Sequence, residues 1–239
     1  MLEKEISILR LCRHRNILEY LGLISDRELG GTLSIVYPHA ENNSLPRYLR
    51  INKRADRLRI LQEVAAGLSY LHAPRFDVEY GKNISIVHGD IHKRNVLIKS
   101  DGTPVLADFG LCKIYDNGGQ TSLSFRANGA LGLPVYLAPE VHNPVDLELA
   151  TGSDIFAFSM LTYETFGGNA QQSLPQLHGR ATDVTVAVAL IRGDRPSRSG
   201  ILRVDFTNKL WELVCECWQD DARARPEIID VSTRLSSAV

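Results

Sequence analysis

Two apolar runs, Ile86-Val87 and Val96-Leu97-Ile98, enclose the polar segment His88-Gly89-Asp90-Ile91-His92-Lys93-Arg94-Asn95. The flanks are short and rich in β-branched residues, which predicts two short strands with a polar loop held between them. Asp90 and Asn95 stand five residues apart. That pairing suits a carboxylate that accepts a proton from an attacking hydroxyl and an amide oxygen that ligates a hard cation. Thirteen residues after Asn95, Asp108-Phe109-Gly110 follows the apolar Val105-Leu106-Ala107, which predicts a second oxygen ligand at a strand end. A given tripeptide is expected by chance only about 0.03 times in a chain of this length. Ala138-Pro139-Glu140 is a second tripeptide of the same improbability, in order and downstream of the loop.

The rest of the chain is organised around this centre. Leu2, Ile6, Leu9 and their apolar neighbours recur at helical spacing up to about Cys12, among Glu3, Lys4, Glu5 and Arg10. Ile17 to Ile24 and Thr32 to Tyr37 read as a β-hairpin across Gly30-Gly31. Leu58, Leu61, Val64, Ala65, Leu68 and Leu71 mark a longer helix, and Pro74 to Ser85 a polar loop. Beyond about Val141 the pattern turns helical, with Leu147 to Gly152, Asp154 to Thr165, Val184 to Arg192 and Asn208 to Trp218 as candidates. The expectation is a strand-poor start and a helical bulk. With 27 basic against 28 acidic residues, the chain has no cationic surplus to recruit nucleic acid or anionic lipid. No apolar stretch approaches the ~20 residues of a membrane span, and the start lacks the apolar run of a secretory signal. The expected compartment is the cytoplasm, with the nucleus open. Cys215 and Cys217, two apart on a helix, point to different faces, and no disulfide framework is expected from four cysteines.

On these motifs the sequence resembles the protein-kinase family along its whole length, 1–239. His88, Asp90 and Asn95 match the HRDxxxxN catalytic loop and Asp108-Phe109-Gly110 the DFG, while Gly132 to Glu140, GLPVYLAPE, is similar to GTPxYxAPE. Ser153-Asp154-Ile155-Phe156-Ala157-Phe158 resembles the SDVWSF of helix F, and Cys217-Trp218 with Arg225-Pro226 resembles the CW…RP ending of tyrosine-kinase-like members. The resemblance implies an α+β, protein-kinase-like fold with a mainly helical C-lobe over 41–239. Residues 1–40 would then be a truncated N-lobe of helix C and the family's fourth and fifth strands, with the hinge. It implies ATP and Mg²⁺ as cofactors and a protein hydroxyl as acceptor, serine or threonine rather than tyrosine. Asp90 and His88 would be catalytic, and Asn95 and Asp108 would hold the metal. Tyr37 would be the gatekeeper, Pro38 to Ala40 the adenine-binding hinge, Leu97 the floor under the ring and Glu5 the helix C glutamate. Glu140, Arg225 and Asp154 would be structural, with Arg225 paired to Glu140.

Departures from the pattern qualify what the resemblance implies. Only four residues precede Glu5, so the expectation is a domain without the Gly-rich phosphate loop and the lysine of the family's third strand. The expectation is an N-terminally incomplete domain whose activity is impaired, with a pseudokinase scaffold as the alternative and a partner protein on the incomplete lobe. Gly89 replaces the arginine of HRD, weakening control through phosphorylation of Tyr115, Thr121, Ser122 or Ser124. His92 and Leu133 stand where serine/threonine kinases carry a paired lysine and threonine. HGDIHKRN also resembles the HGDxHxxN loop of aminoglycoside and choline kinases, which leaves a small-molecule phosphotransferase as a further alternative.

Overall fold

The structure is a computed structural model that describes residues 2–26, 31–77, 81–116, 121–123, 133–142, 149–174, 177 and 181–237. Among these residues the architecture is mixed, with helices and three small sheets. Helix α1 (Leu2–Leu11) follows the spacing of its apolar residues. Ile6, Ile8 and Leu9 are buried, and Ile8 and Leu9 join the main core. An apolar stripe left open by an incomplete lobe would expose Ile6 and Leu9, but both are buried. After α1 the chain does not enter the hairpin at once. Ile17 pairs in parallel with Leu106, the Leu18 N–H donating to the Leu106 carbonyl at 2.8 Å and the Leu106 N–H to the Asn16 carbonyl at 2.9 Å. Strand β1 (Gly22–Asp26) then pairs antiparallel with β2 (Thr32–Val36). The hairpin thus starts at Gly22 rather than Ile17, since Ile17 and Leu18 are taken up by another strand's edge.

Helix α2 (Leu45–Ile51) is short and buries Leu45. Helix α3 (Arg57–His72) begins on Asp56, whose carboxylate accepts the Arg59 N–H at 2.9 Å, and buries Ile60, Leu61, Val64, Ala65, Leu68 and Leu71 along one stripe. The segment expected to loop out at 74–85 instead holds β3 (Arg75–Asp77) and β4 (Lys82–Val87). Strand β4 also pairs with β7 (Lys113–Asp116), which pairs with β8 (Thr121–Leu123), giving the order β3-β4-β7-β8. Backbone pairing outweighs the polar composition here, as the inward residues Ile84, Ile86 and Ile114 are fully buried. The third sheet is the hairpin of β5 (Val96–Ile98) and β6 (Pro104–Leu106).

The pillar of the molecule is α4 (Thr151–Thr165), with 12 of its 15 residues buried. A helix apolar on all sides must be surrounded, and α3 and α6 (Asn208–Cys217) pack on it. Helices α5 (Asp183–Ile191) and α7 (Ile228–Ser236) complete the body, α7 against α3. The candidate helix at Leu147 to Gly152 lies partly outside the described residues, as do Gly132 and Ser124. None of the four cysteines is in a disulfide, and burial raises the Cys12 thiol to about 11 and the Cys217 thiol to about 12. Among the described residues no helix is long and apolar enough to cross a membrane.

Candidate functional site

The polar loop between β4 and β5 is anchored from below by one carboxylate. Asp154, on α4 and 1% exposed, accepts the His88 N–H through Oδ2 and the Gly89 N–H through Oδ1, both at 2.8 Å. The same Oδ2 lies 2.8 Å from His72 Nε2 at the end of α3. A buried carboxylate is tolerated only when hydrogen-bonded in this way, and the charge strengthens each bond. Gly89 has φ +78, a left-handed conformation, and a Cβ there would meet the Leu111 carbonyl at 2.9 Å. His88 is fully buried, and burial keeps its imidazole below the ordinary range and hence neutral. Its Nδ1 accepts the Asp90 N–H at 3.3 Å, and its ring lies 5.0 Å from that of Phe109.

Above this base sits Asp90. The Asn95 side-chain amide donates to the Asp90 carbonyl at 3.0 Å and to Oδ2 at 2.9 Å. His92 Nε2 stands 3.6 Å from the same Oδ2. Because His92 Nδ1 accepts the Arg94 N–H at 3.1 Å, a neutral ring must carry its proton on Nε2, toward the carboxylate. Burial would raise the Asp90 carboxyl, but His92, His88 and the Asn95 amide outweigh it and hold the group below the ordinary carboxylate value. Asp90 is therefore ionised at neutral pH, oriented by two side chains. His92 thus supplies beside Asp90 the polar hydrogen that the replaced lysine would have offered.

The second carboxylate is brought alongside by the backbone. The Ala107 N–H donates to the Asn95 carbonyl at 2.9 Å, so Asp108 follows directly after a residue tied to the loop. Asp108 is exposed and has φ +66. That conformation costs a non-glycine residue about 1–2 kcal/mol and persists only where its surroundings impose it. Here the next residue, Phe109, is buried against His88. Asn95 spends its amide hydrogens on Asp90, which leaves its oxygen as an acceptor, and Asp108 adds a hard carboxylate. This donor set fits Mg²⁺, which takes one or two protein oxygens and keeps the rest of its shell for water and phosphate.

The remaining candidates fall around this pair. Tyr37, Pro38 and Ala40 lie on the segment leaving β2, and Tyr37 and Leu97 pack on the small apolar cluster of Leu18, Val105 and Ala107. The Tyr37 hydroxyl donates to Glu5 Oε1 at 3.1 Å. Arg225, its side chain fully buried, meets Glu140 in a two-pronged ion pair at 2.7 and 2.8 Å and also donates to the Gly152 and Gln219 carbonyls. Several participants carried no signal in the sequence. Lys93 pairs with the nearly buried Glu164 at 2.8 Å, and the Tyr136 hydroxyl bonds the same carboxylate. His72 is equally unannounced. Asn16 is buried and donates to Glu63 at 3.1 Å and to the Pro104 carbonyl at 2.9 Å. Lone polar residues within apolar periodicity acquire partners only through the tertiary fold.

Comparison with known proteins agrees with this geometry. The chain is 28% identical over 245 residues to the probable serine/threonine-protein kinase PBL28 of Arabidopsis thaliana, covering 97% of this chain and 62% of that protein. It is 34% identical over 170 residues to the L-type lectin-domain containing receptor kinase V.5 of the same organism, covering 69% and 23%. With the serine/threonine-protein kinase pakG of Dictyostelium discoideum it shares 28% over 236 residues, covering 97% and 18%. The chain thus spans less than two thirds of the length of each of these relatives. The family described as protein tyrosine and serine/threonine kinase matches residues 1–235. With Asp90, Asn95, Asp108 and the Glu140–Arg225 pair arranged as above, this chain belongs to the protein tyrosine and serine/threonine kinase family.

Proposed function

We propose that this chain transfers the γ-phosphate of ATP to a serine or threonine hydroxyl of a protein substrate. The carrying observation is the state of Asp90: ionised, oriented by Asn95 and His92, and tied through Asn95 and Ala107 to Asp108. In this mechanism Asp90 orients the acceptor hydroxyl and takes its proton as the new bond to phosphorus forms. Asn95 and Asp108 would hold Mg²⁺, which would supply positive charge against the phosphate oxygens. Pro38 to Ala40 and Leu97 receive the adenine, with Tyr37 at the back. His88, being fully buried, supports the loop and does not touch substrate. Residues 1–40 act as the smaller lobe and hinge, and 41–239 as the larger.

Serine or threonine is favoured over tyrosine by the names of the relatives, two of which are serine/threonine-protein kinases. A protein rather than choline or an aminoglycoside is favoured by the Glu140–Arg225 pair, which fixes the segment 133–140 beside Asp90. The test is transfer of label from γ-labelled ATP to protein, choline and aminoglycoside acceptors, with Mg²⁺, by the full chain and its Asp90→Asn variant. Label on protein serine or threonine, reduced about 10²–10⁴-fold by Asp90→Asn, is expected. Label confined to a small molecule would move the chain to the other substrate class. Mg²⁺-nucleotide binding with no transfer would make it a pseudokinase.

A further inference from the structure

Where α1 ends, a cleft of about 570 Å³ opens between the helix, the segment leading to β1 and the turn that joins β5 to β6. That volume falls within the range of about 300–1,000 Å³ typical of small-molecule sites. The cleft shares no residue with the set assembled around Asp90. Leu9 and Ile17, both 2% exposed, give it an apolar floor, to which Tyr20 and Leu21 add. Against this surface the lining sets Arg10, Arg13, Arg15 and Lys99, with Glu19 as its one carboxylate. Arg15 and Lys99 also have carboxylates outside the cleft: Glu63 stands 3.8 Å from Arg15, and Asp101 is close enough to both cations to feel their charge. Arg10 and Arg13 are exposed, and among the described residues no carboxylate lies within ion-pair distance of either.

Both residues are nevertheless held in place. The Arg10 guanidinium lies 6.0 Å from the centre of the Tyr20 ring, and the Arg13 N–H donates to the Tyr70 hydroxyl at 2.8 Å. The negative end of α1 is blunted as well. The Leu9 carbonyl accepts the Cys12 N–H at 3.2 Å, and the Leu11 carbonyl accepts the Tyr70 hydroxyl at 3.2 Å. We propose that this cleft binds a small organic phosphate, a phosphate monoester gripped by Arg10 and Arg13 on a compact apolar or aromatic body that lies against Leu9, Ile17 and Tyr20. Two guanidiniums match the two charges of the ester and reach its oxygens by two-pronged bonds, whereas a single carboxylate would leave one of them unmatched. The apolar floor rewards a body that inorganic phosphate lacks.

The experiment follows the backbone amide NMR spectrum of the full chain during titration with phenyl phosphate. Mg²⁺ is left out, so that Asp90 and Asp108 offer a phosphate only like charge. Saturable shifts at residues 9–21 and Lys99, with a Kd of about 1 mM or below, are expected, while Asp90 and Asp108 stay still. Arg10→Gln with Arg13→Gln should weaken binding about ten-fold or more, and Arg10→Lys with Arg13→Lys should lose less, since charge remains without the fork. Lys209→Gln, which removes a cation of α6, should change nothing. Inorganic phosphate and phenol should each bind about ten-fold more weakly than phenyl phosphate. No saturation by about 10 mM, shifts centred on Asp90 and Asp108, indifference to the paired Gln substitutions, or equal binding of inorganic phosphate would each overturn the proposal. Binding of a phosphotyrosine peptide about ten-fold or more tighter than phenyl phosphate would overturn the assignment to a small molecule.

Discussion

The β1–β2 ribbon and helix α4 are both rich in apolar residues, yet the structure treats them in opposite ways. Leu23, Ile24, Leu33 and Val36 of the ribbon are between 37% and 53% exposed, whereas Ile155, Phe156, Phe158, Met160 and Leu161 of α4 are at most 2% exposed. An apolar run states a capacity for burial, and the neighbours decide whether it is used. A two-stranded ribbon alone is marginal in water. Its amino-terminal neighbours do not share this weakness: Ile8, Leu9 and Ile17 are buried, and Asn16 to Leu18 are bonded to β6. The boundary between firm and loose structure therefore falls inside the amino-terminal segment, between Leu18 and Gly22, and not at the hinge.

The sharpest way to break this contrast is at Asp154. Replacing it by alanine strands two buried N–H groups and the His72 ring together, and a loss of about 3–5 kcal/mol is expected in denaturant unfolding. A loss below about 1 kcal/mol would show that α4 is not what holds the loop of Asp90. Gly67→Ala probes the firm side of the boundary. A helical alanine is favoured over glycine by about 1 kcal/mol, but its Cβ would lie 2.8 Å from the Asn16 carbonyl, which β6 holds in place. The overlap should win, lowering stability by about 1 kcal/mol. A rise in Tm would mean that Asn16 yields and belongs with the loose region. The smallest effect is expected in the ribbon, where Leu23→Thr with Ile24→Thr should alter stability by no more than about 0.5 kcal/mol. The same change should raise the monomer fraction in size-exclusion chromatography, because it removes exposed apolar area.

How legible this architecture was in the sequence depended on where each element's partners lay. Helices α1, α3 and α6 write their burial into local periodicity, α4 and α5 into continuous apolar runs, and their boundaries follow these patterns closely. Helix α7 has the same spacing in Ile228, Val231 and Leu235 but is short and lies beyond the last motif. The β3-β4-β7-β8 sheet was illegible because it joins segments about thirty residues apart, one of them polar, and pairing of that kind leaves no local trace. At the candidate site, Asp90, Asn95 and Asp108 stood out by their spacing and by the motifs they share with the kinase family. The contact of His92 with Asp90 and the bond of Tyr37 to Glu5 did not, since each depends on a side-chain direction that only the folded chain sets.

The left-handed φ of Gly89 also limits what can stand in its place. Any side chain there would enter a backbone region that L-residues avoid, with its Cβ 2.9 Å from the Leu111 carbonyl and 3.3 Å from Leu149. The arginine that the family pattern places between His88 and Asp90 cannot be regained by one substitution while Leu111 stays where it is. Gly89→Arg should therefore lower stability unless the turn after Phe109 shifts with it.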